Sequence, residues 1–249
     1  MSAYVLIHGA WHGGWCWHKV VARLRQAGHR ASAPDLPSLG RDRTPLVQVS
    51  LQTWTESVCR ALNAETEPVI LVGHSRAGAI ISQAAEALPE KIRTLVYLAG
   101  YLLPNGESVA HRAKQDHASL VAPNMQISPD RRSSSLRDAA VRDALYGDCA
   151  DEDVVLAQSL LAPEALEPVK TPIQVSEGRF GRVPRVYIEC LRDRAVSLGE
   201  QRKMASAMPC QRVISMDSDH SPFFSAPDEL TRHLICLASA VASTCAAGT

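Results

Sequence analysis

The stretch Val69-Ile-Leu-Val-Gly-His-Ser-Arg-Ala-Gly78 sets Ser75 in a Gly-x-Ser-x-small turn between an apolar run and a second apolar segment that stops at Pro89. A serine on such a strand-to-helix turn is held in a strained backbone conformation that lifts its hydroxyl clear of a sheet, the arrangement of a nucleophile elbow. Strand and helix approach so closely there that the positions two before and two after the serine must be small. Gly73 and Ala77 meet that demand, although glycine is commoner where Ala77 stands.

A hydroxyl is a weak nucleophile until a base takes its proton, so Ser75 requires a histidine that is itself oriented by a carboxylate. His220 lies in the loop Asp217-Ser-Asp-His-Ser-Pro222 after an apolar run, where its ring can reach over strand ends toward the serine. His29 and His233 fall on helical or strand edges, and His111 and His117 lie in an inserted region. For the acid, Asp193 comes just past another apolar run and keeps the chain order Ser, Asp, His. Asp217 and Asp219 are the alternatives, with a role in bracing the histidine loop or in solvent. Attack on a carbonyl also needs preorganised donors for the oxyanion. The backbone N–H of Arg76 is one, and that of Ala10 in the turn His8-Gly-Ala-Trp-His-Gly-Gly14 is the other. Gly9, His12 and Ser221 are expected to border the substrate pocket, while His8 is read as a hydrogen-bonding residue of the turn. The Arg76 side chain can either attract acidic substrates or pair with a carboxylate on the protein surface, and surface pairing is the expectation.

The elements that must position these groups are read from periodicity. Short apolar or β-branched runs at residues 4–7, 69–72, 94–98, 186–188 and 213–216 have the continuous hydrophobicity of parallel strands covered on both faces. A weaker strand, residues 29–33, ends at Pro34-Asp-Leu-Pro37. Trp17, Val20, Val21 and Leu24 share one helical face, as do Leu51, Trp54, Val58 and Leu62. Between residues 103 and 183 the strand pattern lapses, and helices are expected over 134–146 and 151–161, the second with Asp151, Glu152 and Asp153 at its positive end. The pattern implies an α/β core of residues 1–103 and 183–249, a mostly parallel sheet flanked by helices, with residues 104–182 inserted as a small, mainly helical cap over the carboxyl ends of the strands.

Composition narrows the function classes. The 249 residues carry 26 basic and 26 acidic side chains and no basic stripe, which argues against a nucleic-acid partner. Seven scattered cysteines without a C-x-x-C spacing suggest reduced thiols in a cytoplasmic protein rather than a disulfide framework or a zinc site, and no metal is expected. The turn after the first strand lacks G-x-G-x-x-G and G-K-[ST] patterns, so no nucleotide cofactor is implied. No secretion leader is read at the N-terminus. The uncharged stretch of residues 234–248 is too short for a membrane span and is read as a buried helix, so no membrane partner is expected.

Taken together, Val5-Leu-Ile-His-Gly-Ala-Trp-His-Gly-Gly-Trp-Cys-Trp17, Ala33-Pro-Asp-Leu-Pro37, Gly73-His-Ser75, Cys149-Ala-Asp-Glu-Asp-Val-Val-Leu-Ala157 and Glu177-Gly-Arg-Phe-Gly-Arg-Val-Pro-Arg-Val-Tyr-Ile188 resemble the plant methyl esterase and hydroxynitrile lyase group of the α/β-hydrolase superfamily, over nearly the whole chain. The resemblance implies an α/β-hydrolase fold with a helical lid, a small apolar pocket, no cofactor and often a homodimer. It also implies a fork: the lyases of that group carry a threonine and a lysine at the positions that here are Gly9 and Ser221. Without the lysine a departing cyanide lacks its stabilising charge, so the expected reaction is hydrolysis of a small, largely apolar ester through Ser75, His220 and Asp193. Cyanohydrin cleavage, and a ligand receptor that keeps the triad without turnover, are the alternatives.

Overall fold

A computed structural model describes residues 1–245. The core strands are β1 (Ala3–Ile7), β2 (Arg30–Ser32), β3 (Val69–His74) and β4 (Ile92–Leu98); after an inserted stretch containing β5 (Met125–Ile127), β6 (Ser133–Leu136) and β7 (Glu164–Ala165) come β8 (Arg185–Cys190) and β9 (Arg212–Met216). The six core strands form one parallel sheet in the order β2-β1-β3-β4-β8-β9. The chain leaves β1 for β2 on one side and returns to β3 on the other, so the strand order reverses between β1 and β3. In an open α/β sheet that reversal opens a crevice at the strands' carboxyl ends. It is where the turn after β1 and the Ser75 turn after β3 meet.

Alternation along the strands explains why the sheet is covered twice. Tyr4, Leu6, Ile70 and Val72 pack under α1 (His18–Gln26) and the C-terminal helix, whereas Val5, Ile7, Val69 and Leu71 pack under α2 (Leu51–Asn63) and α3 (Ala77–Ala87). Each such Val, Leu or Ile contributes about 1.5–3 kcal/mol by leaving water. Trp54, Val58 and Leu62 turn the apolar face of α2 into the core, and Ser50 starts that helix through a reciprocal capping box with Thr53.

The insertion between β4 and β8 contains α4 (Val109–Ala113), α5 (Val121–Asn124), α6 (Asp138–Leu145), α7 (Asp151–Leu160) and α8 (Glu167–Lys170). The insertion is mainly helical, and β5, β6 and β7 add a small, separate antiparallel sheet within it. The helix expected over 134–146 begins only at Asp138: Ser133–Leu136 pair as β6, with Ser133, Ser134 and Leu136 buried. The helix with three acidic residues in its first turn forms at Asp151–Leu160. The chain ends with α9 (Leu198–Ala207), the single turn α10 (Pro222–Ser225) and α11 (Pro227–Cys245). Leu234, Leu237 and Ala238 of α11 are buried, and residues 246–248 of the expected helix lie outside the described residues. Among the described residues no helix is long and apolar enough to cross a membrane, and Cys16, Cys59, Cys149, Cys190, Cys210 and Cys236 are free.

Candidate active site

The turn after β3 carries the local strain expected of it. Ser75 has φ 55°, a left-handed value that costs a side-chain-bearing residue about 1–3 kcal/mol and persists only where packing imposes it. The packing is visible on both flanks. A Cβ on Gly73 would come within 2.9 Å of the Ala77 carbonyl oxygen, and one on Gly78 within 2.6 Å of the Tyr101 carbonyl oxygen. Ser75 N–H donates to Leu98 O at 3.0 Å and Ser75 O accepts from Tyr101 N–H at 2.9 Å, which pins the turn to the end of β4. Its Oγ makes no hydrogen bond among the described residues and faces a cavity of about 240 Å³.

His220 borders the same cavity from the loop after β9. Its Nδ1–H donates to Asp193 Oδ2 at 2.7 Å, leaving Nε2 as the basic nitrogen. Asp193, just after β8, is aimed by four donors: Ala195 N–H and Val196 N–H at 2.7 and 2.9 Å on Oδ1, His220 and Gln201 Nε2 (3.1 Å) on Oδ2. Gln201 is buried in α9 and also ties to Cys190 and to Val196 O, so it locks the carboxylate to its strand. Sequence reasoning missed Gln201, because a lone amide in mid-helix has no signature. The other two acids have different work. Asp219 is buried and accepts from Ser221 N–H and Ser225 on one oxygen and from Asp148 N–H and Cys149 on the other, which joins the histidine loop to the cap. Asp217 is exposed and pairs with Arg192.

Behind Ser75 and His220 stands His74. Its Nε2–H donates to the His220 carbonyl at 2.8 Å, and the two rings lie 4.5 Å apart. Burial depresses its pKa well below the usual imidazole value, with the neighbouring imidazoles adding to the effect, so it is a neutral prop for the His220 backbone. A side chain on Gly9 would strike this ring, its Cβ 2.7 Å from Nδ1.

The turn after β1 is held from three sides. His8, fully buried and neutral because burial drives its pKa far down, receives Leu36 N–H on Nε2 at 3.1 Å and donates to the Gly9 carbonyl at 3.0 Å. His12 donates through Nδ1 to the Ala10 carbonyl at 2.5 Å and accepts the Tyr146 hydroxyl on Nε2 at 2.5 Å. Burial takes its pKa down to about 3. Trp11, at φ 63°, gives its N–H to Glu164 of β7 at 3.2 Å. The N–H groups of Ala10 and Arg76 donate to no protein group among the described residues, which leaves both available beside Ser75. Ala10 and Arg76 border the cavity with it.

Two pocket expectations are corrected. His12 borders the cavity, but Gly9 and Ser221 do not: Gly9 is covered by His74 and Ser75, and Ser221 is fully buried with an Oγ that has no partner. The expected surface role of the Arg76 side chain is also overturned. It is 2% exposed, lies 4.0 Å over the Trp54 ring, and its Nε donates to Glu164 Oε2 at 2.7 Å beneath the cap. Desolvation pulls its pKa below the ordinary guanidinium range, opposed by the Glu164 charge. Nothing in the local sequence announces Glu164, because the cap brings it 88 positions along the chain to reach Arg76. The rest of the cavity wall is mainly aliphatic, including Val121, Leu145, Leu166, Val169 and Val196. Among the described residues no cluster of three His, Cys, Asp or Glu stands close enough to hold a metal.

Comparison with known proteins shows the family. The profile of the alpha/beta hydrolase family matches residues 4–233. Methyl jasmonate esterase 1 of Vitis vinifera is 33% identical, with 93% of this chain and 94% of that protein covered. A longer chloroplastic relative from Arabidopsis thaliana, named for a methylesterase, is 32% identical over 94% of this chain, which spans 63% of that protein. Among solved structures, tomato methylketone synthase I complexed with 2-tridecanone superposes with a TM-score of 0.87 at 28% identity, covering 96% of this chain and 98% of that one. A pyrethroid hydrolase from Sphingobium faniae JZ-2 superposes with a TM-score of 0.86 at 29% identity, covering 97% and 99%.

Proposed function

Because this chain belongs to the alpha/beta hydrolase family, within which its curated relatives are plant methylesterases, we propose that it is a carboxylic ester hydrolase that acts on small, largely apolar esters through an acyl-enzyme on Ser75. The observation that carries the reading is the 2.7 Å bond from Asp193 to His220, on a ring that shares a mainly aliphatic cavity with a serine at φ 55°.

In the first half-reaction His220 Nε2 takes the Ser75 proton as Oγ attacks the ester carbonyl. Negative charge collects on the former carbonyl oxygen, where the Ala10 and Arg76 N–H groups donate to it. Asp193 keeps the proton of His220 on Nδ1 and stabilises the imidazolium. When the tetrahedral species collapses, the bond to the alkoxy oxygen breaks and His220 gives its proton to the departing alcohol. A water molecule then attacks the acyl-enzyme with His220 again as base, which releases the acid and restores Ser75. Tyr146, His12 and Asp219 contribute by fixing cap and turn, and His12 also borders the cavity. The free cysteines fit a reducing compartment such as the cytoplasm.

The test is steady-state hydrolysis of p-nitrophenyl acetate and butyrate by the parent and by Ser75→Ala and Asp193→Asn. Both variants should fall by at least about 10³-fold in kcat while keeping the parent's circular dichroism. Full activity in folded Ser75→Ala overturns the proposal.

A further inference from the structure

The cavity is walled by carbon, but its exposed rim is not uniform. Of the side chains that border it, Lys114, Ala122, Met125, Ile127 and Lys170 are the exposed ones and so mark the mouth. Met125 and Ile127 of β5 give one apolar lip, 38% and 50% exposed. Lys114, at the end of α4, and Lys170, at the end of α8, border it on helices that pack against each other. Neither ammonium has a carboxylate or hydrogen-bond partner among the described residues. The nearby acids are already engaged: Glu107 and Glu200 hold Arg112, Asp116 accepts Ser197 N–H, Glu164 holds Arg76, and Glu167 accepts the Thr171 hydroxyl. Two cations that form no ion pair among the described residues thus stand at the mouth of an apolar cavity. Lys170 also borders a neighbouring groove lined by Arg131, Arg132 and one acid, Glu167.

We infer that the substrate is an amphiphilic ester whose end remote from the scissile bond is a carboxylate, the neutral ester entering to Ser75, the aliphatic chain lying along the walls, and the carboxylate stopping at Lys114 and Lys170. This rests on the ester-hydrolase reading of Ser75 and names the substrate class of that site. The lysine stems supply apolar contact and the heads stay in water, so the anion is never stripped of its hydration. The attraction acts in high dielectric and is salt-sensitive.

The experiment measures kcat/KM for monomethyl esters of straight-chain dicarboxylic acids, succinate through suberate, against methyl esters of monocarboxylic acids of equal chain length. A parallel arm carries the charge on the alcohol side, 6-acetoxyhexanoate against hexyl acetate. The readout is the charged-to-neutral ratio within each protein, so damage to the catalytic groups cancels. In Lys114→Met/Lys170→Met the ratio should fall about 2- to 30-fold from two exposed contacts, and in the parent it should fall as salt is raised to 1 M. Lys114→Glu/Lys170→Glu should lower it further. A salt-sensitive, lysine-dependent ratio in either arm supports the inference. A ratio that ignores both lysines in both arms, while the neutral esters turn over, overturns the inference and leaves the esterase reading standing. A folded protein that hydrolyses no ester in either arm overturns the esterase reading itself.

Discussion

Replacing Glu164 with glutamine keeps its shape and an acceptor for Trp11 N–H while removing the charge that faces Arg76. At 2.7 Å and an effective dielectric of about 20, the lost attraction is about 6 kcal/mol. Polar contact with the new amide returns part of that, and removing one partner of a buried pair costs about 3–5 kcal/mol in comparable cases. Arg76 and Glu164 are 2% and 4% exposed, so water screens little of it, and two of the three guanidinium nitrogens of Arg76 have no other partner. For a chain of this size each kcal/mol moves the melting temperature by about 2–4 °C, so Glu164→Gln should melt about 6–20 °C below the parent. Thermal melts followed by circular dichroism give the number. Arg76→Met should also destabilise, because it leaves the Glu164 carboxylate buried without its cation, and Arg76→Met/Glu164→Gln, which keeps the acceptor for Trp11 N–H, should recover most of the loss. A Glu164→Gln melt within about 2 °C of the parent, or a double variant no better than Glu164→Gln, refutes the claim that this pair braces the elbow against the cap.

Gln201→Leu removes a donor from Asp193 and two hydrogen bonds to the Cys190 backbone, so kcat should drop about tenfold or more with a stability loss of about 1–3 kcal/mol, read by esterase kinetics and urea unfolding. Tyr146→Phe leaves His12 Nε2 without its donor and should cost about 1–3 kcal/mol in the same unfolding assay, with KM changing less than stability. His8, His12 and His74 have folded pKa values depressed below that of the free imidazole, the second to about 3. The unfolded chain therefore binds more protons below pH 6.5. Their stabilising contribution is intact above that pH and declines as pH falls from 6.5, by about 1.4 kcal/mol per pH unit for each histidine still neutral when folded. Urea midpoints measured from pH 7.5 to 4.5 should fall accordingly, and a flat profile would contradict the neutral, buried assignment. On the reading, implied by the resemblance, that Ser221 replaces the lyases' lysine, purified protein given mandelonitrile should release no cyanide; release at a rate matching ester hydrolysis would contradict the esterase branch.

The parts of this site readable from the chain were those with a local physical signature. Gly73, Ser75 and Ala77 encode a turn that only a close strand-to-helix approach demands, and the apolar runs around it encode a sheet buried on both faces. His220 and Asp193 followed from the requirement that strand-end loops meet over that sheet. What escaped was decided by distant contacts. Arg76 looks like a surface cation until the cap brings Glu164 over it, and Gln201 acquires meaning only when α9 lies beside β8. Gly9 and Ser221 are pocket candidates only through the positions that the resemblance to the lyases picks out, but His74 fills the space that Gly9 leaves and Ser221 is fully buried. The cap's serine-rich strand was misread because residues 134–146 have apolar positions at helical spacing from Leu136 onward, while the pairing that makes Ser133–Leu136 a strand depends on β5 and β7.

The central claim is a covalent acyl transfer through Ser75. Rapid quenching of the protein during turnover of p-nitrophenyl butyrate, followed by peptide mass spectrometry, tests it most directly. One butyryl group on the peptide containing Ser75, absent from Ser75→Ala, is the result predicted. A parent protein that turns over with no acyl group at Ser75 under conditions where deacylation limits the rate, or a Ser75→Ala protein that hydrolyses the ester at the parent rate, would contradict it.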